Sequence, residues 1–520
     1  MISPLFSDTT DSELVLGMDL GTQGVRVLVS DAAGHRVAHA SKTFRLPDTS
    51  SPATVGVFEQ DPEQWWEAAK TCLRQVMTTL GSRRSRLRAM AVTSTSGTLC
   101  LLDAQGWPIH PAMMYSDRRG SGEAEWLNQV GAEMLARHGY RFDASFALPK
   151  LLWLRRYRPD IFVAARFFAH AADVLVGRLT GEYGVSDWSH ALKSGYDLLE
   201  DRWPDFIGQV PVRNKGHEGH EGHEGHEGHE DHGLRLPREY FPRIVPPGTI
   251  IGRVLARTAE ETGLPAGLSV VAGMTDGCAA QVAGGAIEPG QWLSVLGTTL
   301  VIKGVTSHLL RDPQGRIYSH RHPSGMWLPG GASNTGGEVL ARRFPHANLA
   351  AMDERAATLT PTGIVCYPLE RTGERFPFAC PSARGFLLGT ADTTERYYTA
   401  CLEGVGYVER LAYDILMQLG ASVEGPIRVA GGGARSRPWL QIRANILNRP
   451  LLVPQQAEAA FGAAVLAAGS SLYADLTTAT RSMVHTRTHI MPQPDAEERY
   501  TPLYEQFVAA CRERGYLEPS

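Results

Sequence analysis

Short apolar runs that end on glycine recur along this 520-residue chain and set its predicted organisation. Leu14-Val-Leu-Gly-Met-Asp-Leu20 is an apolar run that predicts a buried strand. Gly21-Thr-Gln-Gly24 turns, and Val25-Arg-Val-Leu-Val-Ser-Asp31 alternates as the returning strand. A turn at Ala32-Ala-Gly34 leads to a third strand through Val37, which makes a β-meander. Asp61-Pro-Glu-Gln64 starts a helix, with Asp as cap, Pro in the first turn and Gln at the capping-box position. Trp66, Ala69, Leu73, Val76 and Leu80 follow at helical spacing, and Gly81 closes the helix.

The pattern then repeats. Leu87-Arg-Ala-Met-Ala-Val-Thr93 is a strand that runs into the turn Ser94-Thr-Ser-Gly-Thr98. Residues 145–159 begin a helix with a basic outer face, and 171–179 form another. Val270-Val-Ala-Gly273 ends a buried strand, a helix starts near Cys278, and Gln291 to Ile302 reads as strand, turn and strand around Gly297-Thr-Thr299. A long helix is expected from about Asp392 to Leu419, where Gly404 and Gly406 cost about 1 kcal/mol each relative to Ala and so predict close packing. Ile427-Arg-Val-Ala430 opens into Gly431-Gly-Gly-Ala-Arg-Ser436 and a further helix, and the small-residue run 459–468 predicts a buried one.

Composition narrows the class without naming it. A chain of this length exceeds one core, so two unequal domains are expected. Glycine is over-represented, at 54 residues against a usual share of roughly 7%. The net charge of -4 gives no footprint for nucleic acid or an anionic membrane. The seven cysteines lack CxxC spacing and read as reduced thiols. The polar start and the absence of a long apolar run predict a cytoplasmic protein without a membrane span. At 217–232, His recurs every third residue between Glu and Gly. Such a run cannot build a core, and it reads as a surface insertion with adventitious metal affinity.

Three glycine turns and one strand end carry the candidate chemistry. Around Gly21, backbone N–H groups and the Thr22 hydroxyl suit phosphate oxygens, while Asp19 suits a hydrated Mg²⁺. A plain hairpin with glycine at positive φ accounts for the same residues. Asp276 stands at the mouth of the turn after Gly273, as a general base or as a helix cap. Ser96, Gly97, Asp117 and Arg118 lie at strand ends where a polyol would be gripped, and equally as surface turns with a salt bridge. Gly431, Gly432, Gly433, Ala434 and Ser436, followed by Asn445 on the next helix, form a nucleotide-binding corner. No Walker loop occurs, which excludes P-loop chemistry.

The ordered set of Asp-x-Gly-Thr, strand-end Asp, Gly-Thr-Thr and the glycine corner resembles the FGGY carbohydrate kinases, from about Leu14 to Ala468. The resemblance implies an α/β fold of two actin-like (ribonuclease H-like) domains with an ATP and sugar cleft between them. The expected division is 1–272 for the sugar and 273–520 for the nucleotide. It implies that Met18-Asp-Leu-Gly-Thr22 and Leu296-Gly-Thr-Thr299 (Gly297, Thr298, Thr299) hold ATP phosphates. By the same likeness, residues 431–436 hold adenosine, and Asp276 is the base for a primary sugar hydroxyl. Mg²⁺ would be held through water on Asp19. Where xylulokinases of the family show Met-His-Gly, this chain has Thr95-Ser96-Gly97. That loop, with Gly330 to Gly337, looks more like the ribulokinase-type pentulose kinases, with D-ribulose gripped by Ser96, Asp19 and Asp276. Xylulose, glycerol or gluconate, and a silent sugar- or nucleotide-binding regulator, are the rival readings. The expected partner is a small sugar, with no nucleic acid or membrane, in a chain that could pair as a homodimer.

Overall fold

The computed structural model describes residues 12–45, 55–209 and 236–518, so the histidine-rich run at 217–232 lies outside the described residues. Two open sheets organise the chain. The first holds β1 (Leu14–Gly21), β2 (Gly24–Asp31), β3 (Arg36–Thr43), β4 (Leu87–Ser94), β5 (Ile250–Arg253) and β6 (Ser269–Val271). Their spatial order is β5-β6-β4-β1-β2-β3. The second holds β7 (Trp292–Leu296), β8 (Leu300–Gly304), β9 (Ile317–Arg321), β10 (Trp327–Ala332), β11 (Ile427–Ala430), β12 (Leu451–Pro454) and β13 (Thr486–Ile490). These run β9-β10-β8-β7-β11-β12-β13.

Both sheets follow one plan. An antiparallel hairpin opens each, β1 with β2 and β7 with β8, and a parallel strand then pairs with its first member, β4 with β1 and β11 with β7. This is the two-domain actin-like α/β fold. The expected meander is present, with Gly21 opposite Gly24 at the first turn. β1 is buried along nearly its whole length, as a central strand covered on both faces must be.

Eight helices matter for the site: α1 (Pro62–Leu80), α2 (Ala147–Tyr157), α3 (Ala171–Thr180), α4 (Trp188–Leu192), α5 (Asp276–Ala283), α6 (Thr394–Gln418), α7 (Arg437–Leu447) and α8 (Ala459–Gly469). α1 starts as expected, with the Asp61 side chain accepting the Glu63 N–H at 2.9 Å and Pro62 in the first turn. Its apolar stripe packs with α3 against Val25, Val27 and Met90 of the first sheet. The other face of that sheet is covered by α5 and α8, where Val15, Ala89, Ala91 and Val271 meet Ala279, Val282 and Ala460 to Ala468. Both helices follow residue 272, so the second half of the chain closes the core of the first.

Glycines make that seam thin. A Cβ on Gly17 of β1 would overlap the Ala460 carbonyl oxygen, and one on Gly462 would overlap that of Ala279. The close packing expected in α6 is present too, because Gly404 faces the Cys366 carbonyl and a Cβ on Gly406 would lie 2.6 Å from Ile446 Cδ1. One expectation fails in α2. Lys150 and Arg155 are buried rather than outward, and Lys150 is fully enclosed because three backbone carbonyls satisfy its ammonium. All seven cysteines are free, and all but Cys380 are buried. Among the described residues no helix is long and apolar enough to cross a membrane.

Candidate active site

Asp276 takes its position from two flanking constraints. The turn before it runs flush against β4, where a Cβ on Gly273 would overlap the Val92 carbonyl oxygen. Thr275 pairs with Ser94 at the end of β4, and its N–H donates to Ser189 Oγ of α4 at 2.7 Å. By backbone geometry Thr275 is the cap of α5 and Asp276 is the first helical residue. Its Oδ1 accepts the Gly277 N–H at 2.6 Å, and its other oxygen has no hydrogen-bond partner among the described residues. Burial raises its pKa, opposed by the Gly277 N–H and by the charges of Lys303 and His190. A carboxylate with one oxygen fixed, the other open, and a raised proton affinity suits a general base.

Asp19 faces the same space. It lies two residues before the end of β1, and its Oδ2 accepts from Arg26 Nη1 at 3.2 Å. Burial pushes its pKa up to about 6, and the charge of Asp276 adds to the rise. Its Oδ1 is buried and unpartnered among the described residues. An orphaned carboxylate oxygen facing a second carboxylate fits a hydrated divalent cation. No group of three or more His, Cys, Asp or Glu side chains forms a ready cage among the described residues.

The first glycine turn lies directly beyond Asp19. Thr22 is half-buried, and its carbonyl accepts from Gln60 Nε2 at 2.8 Å, while Gln60 Oε1 accepts from Trp65 Nε1 at 2.9 Å. Ser96 and Gly97 follow β4, the strand between β1 and β6, so they stand beside both carboxylates' strands. Gly97 has φ +75°, and its carbonyl accepts from Lys150 Nζ at 3.2 Å.

The second turn and the glycine corner are neighbours as well. Gly297 donates to Thr299 O at 3.0 Å, and Gly337 donates to Gly297 O at 2.8 Å. Beneath them Glu374 accepts from Ser333 Oγ, the Asn334 N–H, Thr335 Oγ and Tyr367 Oη within 3.0 Å, which fixes the 333–337 loop against the turn. β11 runs parallel to β7, and Gly431, at φ +85°, comes so close that a Cβ would meet Leu296 O at 2.5 Å. Gly431 and Gly432 are exposed, Gly433 and Ala434 are buried, and Ser436 accepts the Trp439 N–H at 3.1 Å as the cap of α7.

Two residues do not join this group. Asp117 is fully buried, with its oxygens taken by the Phe58 N–H at 2.8 Å and by Arg119 at 2.8–3.1 Å. It offers no free carboxylate to a polyol, because the salt bridge wins. Asn445 is 1% exposed and bonds Gln441, Gln493 and the Gln493 backbone, so it braces the back of α7 rather than facing the corner.

The sequence reading missed four supports: Lys150, Glu374, Lys303 and a buried chain behind Asp276. In that chain His190 Nδ1 lies 2.5 Å from Asp187 Oδ2, and its Nε2 lies 2.9 Å from Ser94 Oγ. Ser189, which receives the Thr275 N–H, donates to Asp187 Oδ1 at 2.6 Å. Burial works to discharge His190, but Asp187, with lesser help from Asp173 and Asp276, raises it to about 9. The available signal was Ser186-Asp-Trp-Ser-His190, a polar run where an apolar one would pack.

Comparison with known proteins finds matches over both halves of the chain. The profile of the FGGY family of carbohydrate kinases, N-terminal domain, matches residues 14–210, and that of its C-terminal domain matches 292–471. The chain is 30% identical over 465 residues to a xylulose kinase of Streptomyces rubiginosus, covering 88% of each. It is 30% identical to a xylulose kinase of Streptomyces coelicolor, covering 94% of each. The structure of a xylulose kinase from Rhodospirillum rubrum superimposes with a TM-score of 0.81 at 29% identity, over 96% of this chain and 98% of that one.

Proposed function

Because this chain belongs to the FGGY family of carbohydrate kinases and is therefore an ATP-dependent sugar kinase, we propose that its acceptor is a pentulose phosphorylated on a primary hydroxyl. The observation that carries the reading is Asp276, with one oxygen fixed by Gly277 and the other open toward the space shared with Asp19. In this reading residues 1–272 hold the sugar and 273–520 hold the nucleotide. The pentulose lies against Ser96, Gly97, Asp19 and Asp276. ATP phosphates lie between the turns Gly21-Thr22 and Gly297-Thr298-Thr299, and adenosine lies over the exposed Gly431-Gly432 face.

Asp276 accepts the proton of the hydroxyl as that oxygen attacks the γ-phosphorus in line. Backbone N–H groups and threonine hydroxyls of the two turns take the phosphate charge, already oriented, so little reorganisation accompanies transfer. Asp19 would hold Mg²⁺ through water, and that ion, when bound, neutralises charge developing on the phosphate oxygens. The rate then rests on positioning and on exclusion of water from the cleft.

Two sugars compete within this reading. The names of the relatives support D-xylulose, and they lend no support to D-ribulose. Thr95-Ser96-Gly97 keeps D-ribulose as the second reading, because a serine hydroxyl beside the carboxylates presents different hydrogen-bonding groups from a histidine ring. ADP release measured with D-xylulose, D-ribulose, glycerol and gluconate side by side decides. The pentuloses are expected to give the highest kcat/KM, and ADP release unchanged by either pentulose would end the proposal.

A further inference from the structure

Lys303 lies on β8, four residues past Thr299 of the second turn, yet it reaches across to the start of α5. Two glycines clear its path. A Cβ on Gly330, its register partner on β10, would lie 3.0 Å from Lys303 Cγ. A Cβ on Gly277, beside Asp276, would lie 3.0 Å from Lys303 Cε and 3.4 Å from Nζ. At the end of that path the ammonium has one hydrogen-bond partner among the described residues, the Cys278 thiol sulfur at 3.8 Å. A thiol is a weak acceptor. Lys303 makes no ion pair within 4.0 Å among the described residues, and the half-buried ammonium keeps donors that a thiol alone does not satisfy.

The groups around it leave little else to satisfy. Asp276 and Cys278 face it from α5, while Tyr318 and His320 approach from β9. His320 is 2% exposed, and burial next to Lys303, Lys193 and His190 keeps it neutral. Behind Asp276 stand Asp19 on β1 and His190 on α4. The one carboxylate that acts directly on Lys303 among the described residues is Asp276, whose second oxygen has no hydrogen-bond partner there.

We propose that Lys303 is a sugar-subsite residue whose unspent ammonium donors take an oxygen of the bound pentulose and hold it against Asp276. Its position on the strand that leaves Gly297-Thr298-Thr299 ties the grip on the sugar to the turn that grips phosphate. Lys303 thereby links the two halves of the cleft through one side chain. Neither Gly277 nor Gly330 can acquire a side chain without displacing it.

The inference rests on the sugar-kinase reading, and the wild-type chain is assayed first so that the two fail separately. A chain that phosphorylates no pentulose ends that reading. With an active wild type, Lys303→Met is expected to raise the pentulose KM at least tenfold and lower kcat at least tenfold, with the ATP KM within twofold of wild type. Lys303→Ala is expected to regain activity with added methylamine or ethylamine, saturably. Gly277→Ala, which displaces the ammonium without removing it, is expected to move the pentulose KM in the same direction. Lys303→Met with unchanged pentulose KM and kcat overturns the inference. So does a loss that amines leave untouched and that the ATP KM shares, since a structural lysine would behave in that way.

Discussion

Lys150 Nζ donates to the Gly97 carbonyl oxygen at 3.2 Å across 53 residues of sequence, and to Ala144 O and Phe146 O at 2.7 and 2.9 Å. One fully buried ammonium thus pins the turn that presents Ser96 to the segment before α2. Gly97 has no slack of its own, because a Cβ there would overlap the Ser145 carbonyl oxygen.

Removing that amine takes a donor from three carbonyls, and each buried group left unsatisfied costs about 1–3 kcal/mol. Lys150→Met is therefore expected to lower the melting temperature and to raise the sugar KM about tenfold, while the ATP KM stays within twofold. Steady-state kinetics with each substrate varied in turn checks it. Equal rises in both KM values would show that Lys150 supports the whole fold rather than the sugar turn.

The frame of this arrangement was legible in the sequence because local chemistry specifies it. Apolar runs broken by glycine gave both hairpins, the Asp61-Pro62 start fixed α1, and Gly404 with Gly406 foretold a close contact. Most of the supports were not legible, because they depend on a partner remote in sequence, whereas the Asp187–His190 pair, three residues apart, left a local polar run. Ser333 meets Glu374 across 41 residues, and Lys303 meets Cys278 across 25. Remote partners also act on two of the candidate residues. Asp117 reads equally as a polyol grip or a salt bridge in the sequence, and the structure gives the bridge, to Arg119, with the Phe58 N–H, 59 residues away, as a further donor; Asn445 is taken by Gln493, 48 residues away. Short-range pattern reports where a polar group sits, and only the tertiary fold reports what already occupies it.

Asp276 is expected to be indispensable to transfer and dispensable to nucleotide binding, since it lies in none of the three turns proposed for the nucleotide, between β1 and β2, between β7 and β8, and after β11. Asp276→Ala should reduce kcat by about 10²–10⁴, the usual contribution of a positioned general base. Titration calorimetry with a non-hydrolysable ATP analogue should give an affinity near that of wild type. Turnover retained within tenfold would remove Asp276 from the role of base.

The His190–Asp187 pair predicts a direction for stability against pH. His190 titrates near 9 in the folded protein, above the roughly 6.5 of an unperturbed histidine. A group raised in this way contributes stability that is fully present below about pH 6.5 and is lost as pH rises through 9. Melting temperature in the absence of ligands should therefore fall across pH 6.5–9. Asp187→Asn should melt lower at pH 7 and lose most of that slope. A slope unchanged by Asp187→Asn would assign the dependence to other groups.

Two helical glycines, Gly462 in the seam between α5 and α8 and Gly122 outside it, are predicted to respond to alanine with opposite signs. A Cβ on Gly462 would overlap the Ala279 carbonyl oxygen, and backbone on both sides leaves no flexible atom to yield. Forced overpacking costs about 1–3 kcal/mol where side chains can shift, and a backbone clash falls at or above the upper end. Gly122 lies in the helix Ser121–Val130, and a Cβ there would have nothing within 4 Å. Replacing a helical glycine by alanine is worth up to about 1 kcal/mol of stability. Thermal melts are therefore expected to rank Gly122→Ala at or above wild type, and Gly462→Ala well below both. Because Gly462 packs against the helix that Asp276 begins, its variant should also lose kcat even at temperatures where it remains folded. A folded Gly462→Ala protein with full activity would show that α5 can shift without moving the base.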